Sequence, residues 1–382
     1  MSESQNIEYK ESWRDEYLKW ICGFANAQGG KIYIGIADNK EVIGVDDAKR
    51  LMEDIPNKIA TNLGIIAPVN LLYQNGIPYI EIVVEPSAMA VSYHGAFHYR
   101  SGSTKQELKG IALQQFLLKK MGRSWDDILH DSATIDCIDR NAIDYFLESS
   151  AEQNRLESIS KNADTLTVLR NLHLISDDGK IKHAALLLFG KDPLNYFPDV
   201  RFKIGRFGTD ATDLIFDDII EGNILEMVDK VMQVLASKYL VSPIHYKGLR
   251  RIETLEIPEA ALREIICNAI VHKDYQSTTI QMKVYDDRIE VWNPGTLPND
   301  FSIDDLFCEH YSHARNRNIA HAFYRAGLIE AWGRGIEKIC KSLKEASLQL
   351  PKFEERQGGM LVSVMRKTSV GNAQVPPKYR PS

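Results

Sequence analysis

A chain of 382 residues, 44% of them hydrophobic, exceeds one comfortable core and implies two or three domains, each with an interior of its own. A formal net charge of -6 excludes a uniformly basic nucleic-acid binder, so any such contact must use a local basic patch. Five scattered cysteines (Cys22, Cys137, Cys267, Cys308 and Cys340), odd in number and never spaced CxxC, argue against a disulfide framework and a cysteine zinc site. With no basic-then-apolar leader and no apolar run of membrane length, a cytoplasmic protein with no membrane contact is expected.

In chain order, Ser12 followed by Asp15 has the spacing of a capping box, and Tyr17, Leu18, Ile21, Cys22 and Ala25 recur helically until Gly29 and Gly30 stop the helix. KIYIGIADN alternates, with Ile32, Ile34 and Ile36 on one face, and turns at Asp38 and Asn39. PYIEIVVEP and AFHYRSGSTK are two further strands, the second ending in a Gly/Ser turn. Periodicity lapses in the acidic stretch SWDDILHDSATIDCIDR, which marks a boundary near residues 124–140. AIDYFLESS and TLTVLRNLHLIS read as helices and SDDGKIKHAALLLFG as a turn leading into a strand, an order that suits a small winged-helix-like unit over 135–190. Its last helix before the turn offers only Arg170 as a basic residue, which favours a structural role over DNA reading. Strands and helices then alternate over 191–367 as an α/β sandwich, and the proline-bearing tail 368–382 is expected to be flexible. The expected fold class is a multidomain α+β and α/β chain, with a mixed N-terminal domain over 1–123.

Three pieces of the C-terminal third carry chemistry. In REIICNAIVHKDY, Glu264 and Asn268 share one helical face with His272 a turn further, and a carboxylate beside an amide can hold magnesium and orient water. DDRIEVWNPG is a strand ending in Asn293, Pro294 and Gly295. In WGRGIEKI, Gly333 and Gly335 precede a helix whose amides can meet a phosphate. In this order the three resemble the Bergerat-type (GHKL-like) ATP-binding domain of gyrase, histidine kinases and mismatch-repair ATPases, across roughly residues 250–367. The resemblance implies ATP as ligand, Glu264 as general base, Asn268 as magnesium ligand, and Asn293, Gly295, Gly333 and Gly335 around the nucleotide. Asn293 stands where that family carries Asp, and Leu297 where it carries a second glycine. The adenine then meets an uncharged, weaker acceptor, and nucleotide binding is implied more firmly than hydrolysis.

At the other end, an E-x4-E-x-K start (Glu3, Glu8, Lys10), FANAQGG running into GIAD, and the turn YRSGS together resemble the Schlafen/AlbA-type domain over residues 1–123. Paired with a Bergerat-like domain, this is similar to bacterial proteins described as transcriptional regulators. The resemblance to Schlafen endoribonucleases implies an acidic triad of Glu3, Glu8 and Asp38 that binds magnesium or manganese and hydrolyses phosphodiesters. A structural alternative pairs Glu8 with Lys10 across a strand. Lys10, Arg14, Arg100 and Lys105, near His98 and Tyr99, suit phosphate contact with base stacking on DNA or RNA.

His310, His313 and His321 read as polar loop residues rather than a metal site, with Arg315 and Arg317 as alternative phosphate contacts. Ser101 and Ser103 lack an identifiable base. Trp20, Trp292 and Trp332 are expected in the core. The leading functional expectation is a nucleic-acid-binding regulator with a nucleotide-binding C-terminal domain, forming a homo-oligomer. The alternatives are a metal-dependent endoribonuclease and an oligomeric scaffold whose ATP-binding domain is degenerate.

Overall fold

The computed structural model describes residues 5–156, 159–240, 244–247, 250–253, 255–298, 301–308, 314–330 and 333–366. Glu3, His310, His313, Trp332 and the tail from residue 368 lie outside the described residues. The chain divides into two compact units between Arg123 and Ser124.

The N-terminal unit runs β1 (Ile7–Lys10), α1 (Leu18–Asn26), β2 (Gly30–Ile34), α2 (Ala48–Leu63), β3 (Val69–Gln74), β4 (Ile77–Val84), β5 (His98–Ser101), β6 (Thr104–Glu107) and α3 (Gly110–Lys120). Four strands form a sheet in the order β1-β2-β4-β3, parallel between β1 and β2 and antiparallel elsewhere; β5 and β6 form a separate hairpin. Alternation sends Ile32, Ile34, Ile80 and Ile82 to one face, where they pack with Ile21 and Phe24 of α1 and Ile55 and Ile59 of α2. On the other face Tyr9 stacks on Tyr33 with ring centroids 5.7 Å apart. The capping box does not form. The carboxylate of Asp15 is engaged by Lys58 Nζ at 2.6 Å and Trp13 Nε1 at 3.0 Å, and residues Asp15–Tyr17 make a 3-10 turn with no side-chain cap.

The second unit runs α4 (Arg140–Glu152), α5 (Thr165–Asn171), α6 (His183–Phe189), β7 (Arg201–Phe207), β8 (Leu214–Glu221) and α7 (Ile224–Val234), which a π-turn extends over Leu235–Tyr239. It continues through β9 (Ile244–Lys247), β10 (Arg250–Glu253), α8 (Glu259–Val271), β11 (Ile280–Val284), β12 (Arg288–Pro294), α9 (Arg317–Arg325), α10 (Gly335–Glu345), β13 (Lys352–Arg356) and β14 (Gly359–Met365). The main sheet has the order β13-β14-β12-β11-β7-β8, with β7 and β11 its parallel pair. α7 and α8 bury Val228, Val231, Leu262 and Ile266 with the sheet residues Phe202, Ile204, Met282 and Val291.

Two expectations are corrected here. Residues 135–190 do not form a unit of their own: one continuous core runs from Ala133 through Phe189 to Val364. The stretch HAALLLF is the helix α6 and not a strand. All six residues from Ala184 to Phe189 are buried, as befits a helix enclosed on every side, and an apolar run of this kind has no period that distinguishes the two. Among the described residues no helix is long and apolar enough to cross a membrane.

Candidate functional site

In the second unit, α8 sets Glu264 and Asn268 four residues apart on one face. Glu264 is 3% exposed; its Oε1 accepts from Asn268 Nδ2 at 3.4 Å, and its Oε2 is buried with no hydrogen-bond partner among the described residues. Gly335, at the start of α10, sits on this carboxylate: a Cβ there would lie 2.2 Å from Glu264 Oε1 and 3.5 Å from Asn268 Nδ2. Any side chain at this position would push the Glu264 carboxylate aside. Gly333 lies in the turn that leads into α10. Burial raises the Glu264 carboxyl above its ordinary 4.5, opposed by the charge of Lys338 and the Asn268 hydrogen bond and assisted by Glu330.

This shift has a stability consequence. A carboxyl that holds its proton better folded than unfolded subtracts stability as pH rises through the unfolded value towards the folded one. Glu264→Gln is therefore expected to stabilise the unit at neutral pH by about 1 kcal/mol and to flatten its pH dependence. Denaturant midpoints of both proteins at about pH 5 and about pH 8 check this; a variant less stable than the parent at the higher pH contradicts it.

The strand end lies at the other end of α8. Gly295 has φ +123, and a Cβ there would approach the His272 carbonyl to 2.8 Å and Arg315 Nε to 3.1 Å. Arg315 also donates Nη2 to the Thr296 carbonyl at 2.8 Å. Asn293 is buried in β12 opposite Met360, its Nδ2 reaching the Pro294 carbonyl at 3.4 Å. The structure thus gathers Glu264, Asn268 and Gly335 in one cluster, and Gly295, His272 and Arg315 in another. Sequence reasoning missed Asn316, which donates Nδ2 to the carbonyls of Val271 and Lys273, both at 2.8 Å, and satisfies the open end of α8.

In the N-terminal unit Glu8 is buried on β1 beside β2. One carboxylate oxygen meets Lys10 Nζ at 2.6 Å and the other Arg100 Nη1 at 2.6 Å. Arg100, from β5, has no exposed surface, lies 4.8 Å over the Phe24 ring, and donates Nη2 to the Ile7 carbonyl at 3.3 Å. It is the counter-ion of Glu8, and the expectation that it touches nucleic acid is corrected on that ground. Asp38 stands on an exposed turn after β2. Among the described residues no three His, Cys, Asp or Glu side chains are grouped closely enough to hold a metal ion.

The other basic residues separate. Arg14 is exposed and 3.8 Å from Glu16. Lys10 and Lys105 converge on Trp20, their Nζ atoms 5.5 and 4.9 Å from its ring centroid. Lys105 has its pKa lowered, first by burial and then by the neighbouring charge of Lys19. Trp20 and Trp292 are half-buried rather than core residues, the latter donating Nε1 to the Arg356 carbonyl at 2.9 Å. Ser101 and Ser103 are exposed at the hairpin turn.

Asn26, missed by the sequence reading as an individual residue, ties the unit together. Its Nδ2 donates to the carbonyls of Val91 at 2.7 Å and His98 at 2.8 Å, and its Oδ1 accepts from Val91 N at 2.8 Å.

Residues 3–109 match the family model described as "Schlafen, AlbA_2", and residues 277–364 the one described as "Putative ATP-dependent DNA helicase recG C-terminal". The chain therefore joins an N-terminal Schlafen/AlbA-type domain to a C-terminal ATPase-like domain. Among solved structures, the DIP2311 protein from Corynebacterium diphtheriae is similar in fold, with 18% identity and a TM-score of 0.52 over 95% of this chain and 75% of that one. The N-terminal domain of a "Putative ATP-dependent DNA Helicase RecG-related Protein" from Nitrosomonas europaea also matches, at 18% identity over 28% of this chain and 86% of that one, with a TM-score of 0.21. A comparison with curated proteins returned no match.

Proposed function

We propose that this chain is a cytoplasmic nucleic-acid-binding protein of the regulator type, whose N-terminal unit contacts DNA or RNA and whose C-terminal unit binds ATP. The observation that carries the reading is the half-exposed Trp20 ring flanked by the ammonium groups of Lys10 and Lys105. An aromatic face between two cations offers stacking to a base and charge to the phosphates on either side of it. Glu8 favours binding over cleavage. With both oxygens engaged by Lys10 and a fully buried Arg100, its carboxylate serves as a counter-ion, and a metal would have to displace a desolvated cation to use it.

For the nucleotide, the orphaned Oε2 of Glu264 beside Asn268, at the foot of a helix begun by glycine, suits a magnesium-bound phosphate. Glu264 and Asn268 would hold the ion, which would supply neutralisation of phosphate charge. A nucleotide-binding unit that follows a nucleic-acid-binding one in the chain is what the regulator reading requires.

Fluorescence anisotropy with single-stranded RNA, single-stranded DNA and duplex DNA tests the binding half. Trp20→Ala and Lys105→Ala are each expected to weaken binding by about 1–3 kcal/mol, and affinity should fall steeply with added salt. Unchanged affinity in both variants would remove Trp20 from the interface. The same mixtures with manganese or EDTA, scored for fragmentation against Glu8→Gln, separate binder from nuclease: metal-dependent cutting lost in that variant would establish the enzyme instead. Calorimetric titration with a non-hydrolysable ATP analogue and magnesium should show saturable binding that Asn268→Ala abolishes.

A further inference from the structure

The two clusters of the second unit stand at successive turns of one helix. Glu264, Asn268 and His272 follow one another four residues apart on α8, which puts Asn268 about 6 Å and Glu264 about 12 Å short of the helix end, where the His272 carbonyl faces Gly295. At Glu264 are a buried carboxylate, an amide and the first residue of α10. At the helix end, β12 runs out into Gly295 and Thr296, and the charged group beside them is Arg315. A lone phosphate cannot reach across two turns of helix, whereas a phosphate chain that carries a nucleoside can.

Arg315 is fixed at both its backbone and its tip. The next residue, Asn316, is 1% exposed and ties the chain to the end of α8 through the carbonyls of Val271 and Lys273. At the tip, Nη2 donates to the Thr296 carbonyl at 2.8 Å, and Nε and Cζ lie 3.1 and 3.4 Å from where a Cβ on Gly295 would stand. Gly295, at φ +123, has no side chain to hold the guanidinium off. The charge, however, is unanswered. Arg100, Arg206, Arg263, Arg288 and Arg366 each pair with an aspartate or a glutamate, whereas Arg315 meets no carboxylate and no aromatic ring among the described residues.

Resting on the reading of this unit as an ATP binder, we propose that the two clusters are the two ends of one site and that the purine ring of the nucleotide lies on the guanidinium of Arg315. A guanidinium is flat, weakly hydrated and always charged, and it stacks on aromatic faces as well as binding anions. Position decides between those roles. The phosphates have Glu264 and Asn268, through magnesium, and the amino end of α10, two turns away, so the part of the ligand that arrives at Gly295 is the base. Stacking reads the face of a ring and not its edge, so Arg315 sets the affinity for a base without choosing between adenine and guanine.

Calorimetric titration of the full chain in magnesium, with a non-hydrolysable ATP analogue and with inorganic tripolyphosphate as separate probes, tests this. Arg315→Ala is expected to weaken binding of the analogue by on the order of 10-fold and to leave tripolyphosphate unchanged, whereas Asn268→Ala weakens both. Arg315→Lys keeps the charge without the plane, and should lose affinity for the analogue nearly as far as Arg315→Ala does. Circular dichroism of each variant confirms that its fold is kept. A parent that does not bind the analogue removes the ATP reading and this inference with it. A parent that binds it, with an Arg315→Ala protein that binds both probes as the parent does or loses both equally, or an Arg315→Lys protein of parental affinity, overturns the role of Arg315 and leaves the ATP reading standing.

Discussion

Arg100→Ala is expected to destabilise the N-terminal unit by about 3–5 kcal/mol, because it leaves the Glu8 carboxylate buried with only Lys10 to balance it. The arginine also closes the sheet: its Nη2 bond to the Ile7 carbonyl holds the start of β1, and its guanidinium covers the Phe24 ring of α1. Arg100→Lys keeps the charge but not the second arm of the fork, and should fall between the parent and the alanine variant. A double replacement, Arg100→Met with Glu8→Gln, removes both charges and is expected to cost less than the sum of the single changes. Urea denaturation followed through Trp13 and Trp20 provides the measurement. A loss below about 1 kcal/mol for Arg100→Ala would show that the pair is solvated after all.

Asn26→Ala is expected to cost about 2–3 kcal/mol, since it removes bonds to three buried backbone groups at about 1 kcal/mol each, the Val91 carbonyl keeping only the weak donor Cys22 Sγ at 3.3 Å. Those groups, Val91 N, Val91 O and His98 O, belong to the segment before β5 and to β5 itself, so the asparagine anchors the hairpin to the end of α1. The loss should appear as faster amide exchange over residues 91–107 before the sheet itself opens. Uniform exchange across the unit would instead mean that hairpin and sheet open as one.

The contrast between these two residues shows what was legible. FANAQGG announces a helix end, and the structure explains its glycines: a Cβ at Gly30 would lie 2.5 Å from the Phe24 ring. The shared face of Glu264 and Asn268 follows from helical geometry alone, and of the two glycines Gly335, the first residue of α10, lies against that face. Arg100 was misread because its partner lies 92 residues away. Beside a Tyr and a Ser-Gly turn an arginine looks exposed, and nothing local reveals that it is buried against an acid on a distant strand. α6 was misread because an enclosed helix has no polar side to set a period. α2 carries Pro56 in its interior, a breaker by composition, and its apolar positions Ile55, Ile59 and Leu63 outweigh that signal only once a sheet is present to receive them. The edge strands β8 and β13 bury only Ile220 and Phe353 and follow no clean alternation, so pattern reading has little to find in them.

The bond between Glu8 and Arg100 also fixes an order of events during synthesis. β1 leaves the ribosome 92 residues ahead of the arginine that secures it, and its parallel pairing with β2 needs the whole of α1 as a crossover. Until residue 100 has emerged, the acid on this strand has only the partly exposed Lys10 to pair with and lacks its buried counter-ion. The antiparallel core of β2, β3 and β4 can assemble in the meantime, because its contacts close over shorter loops. The strand that leads the unit in sequence is thus expected to be among the last of its parts to settle.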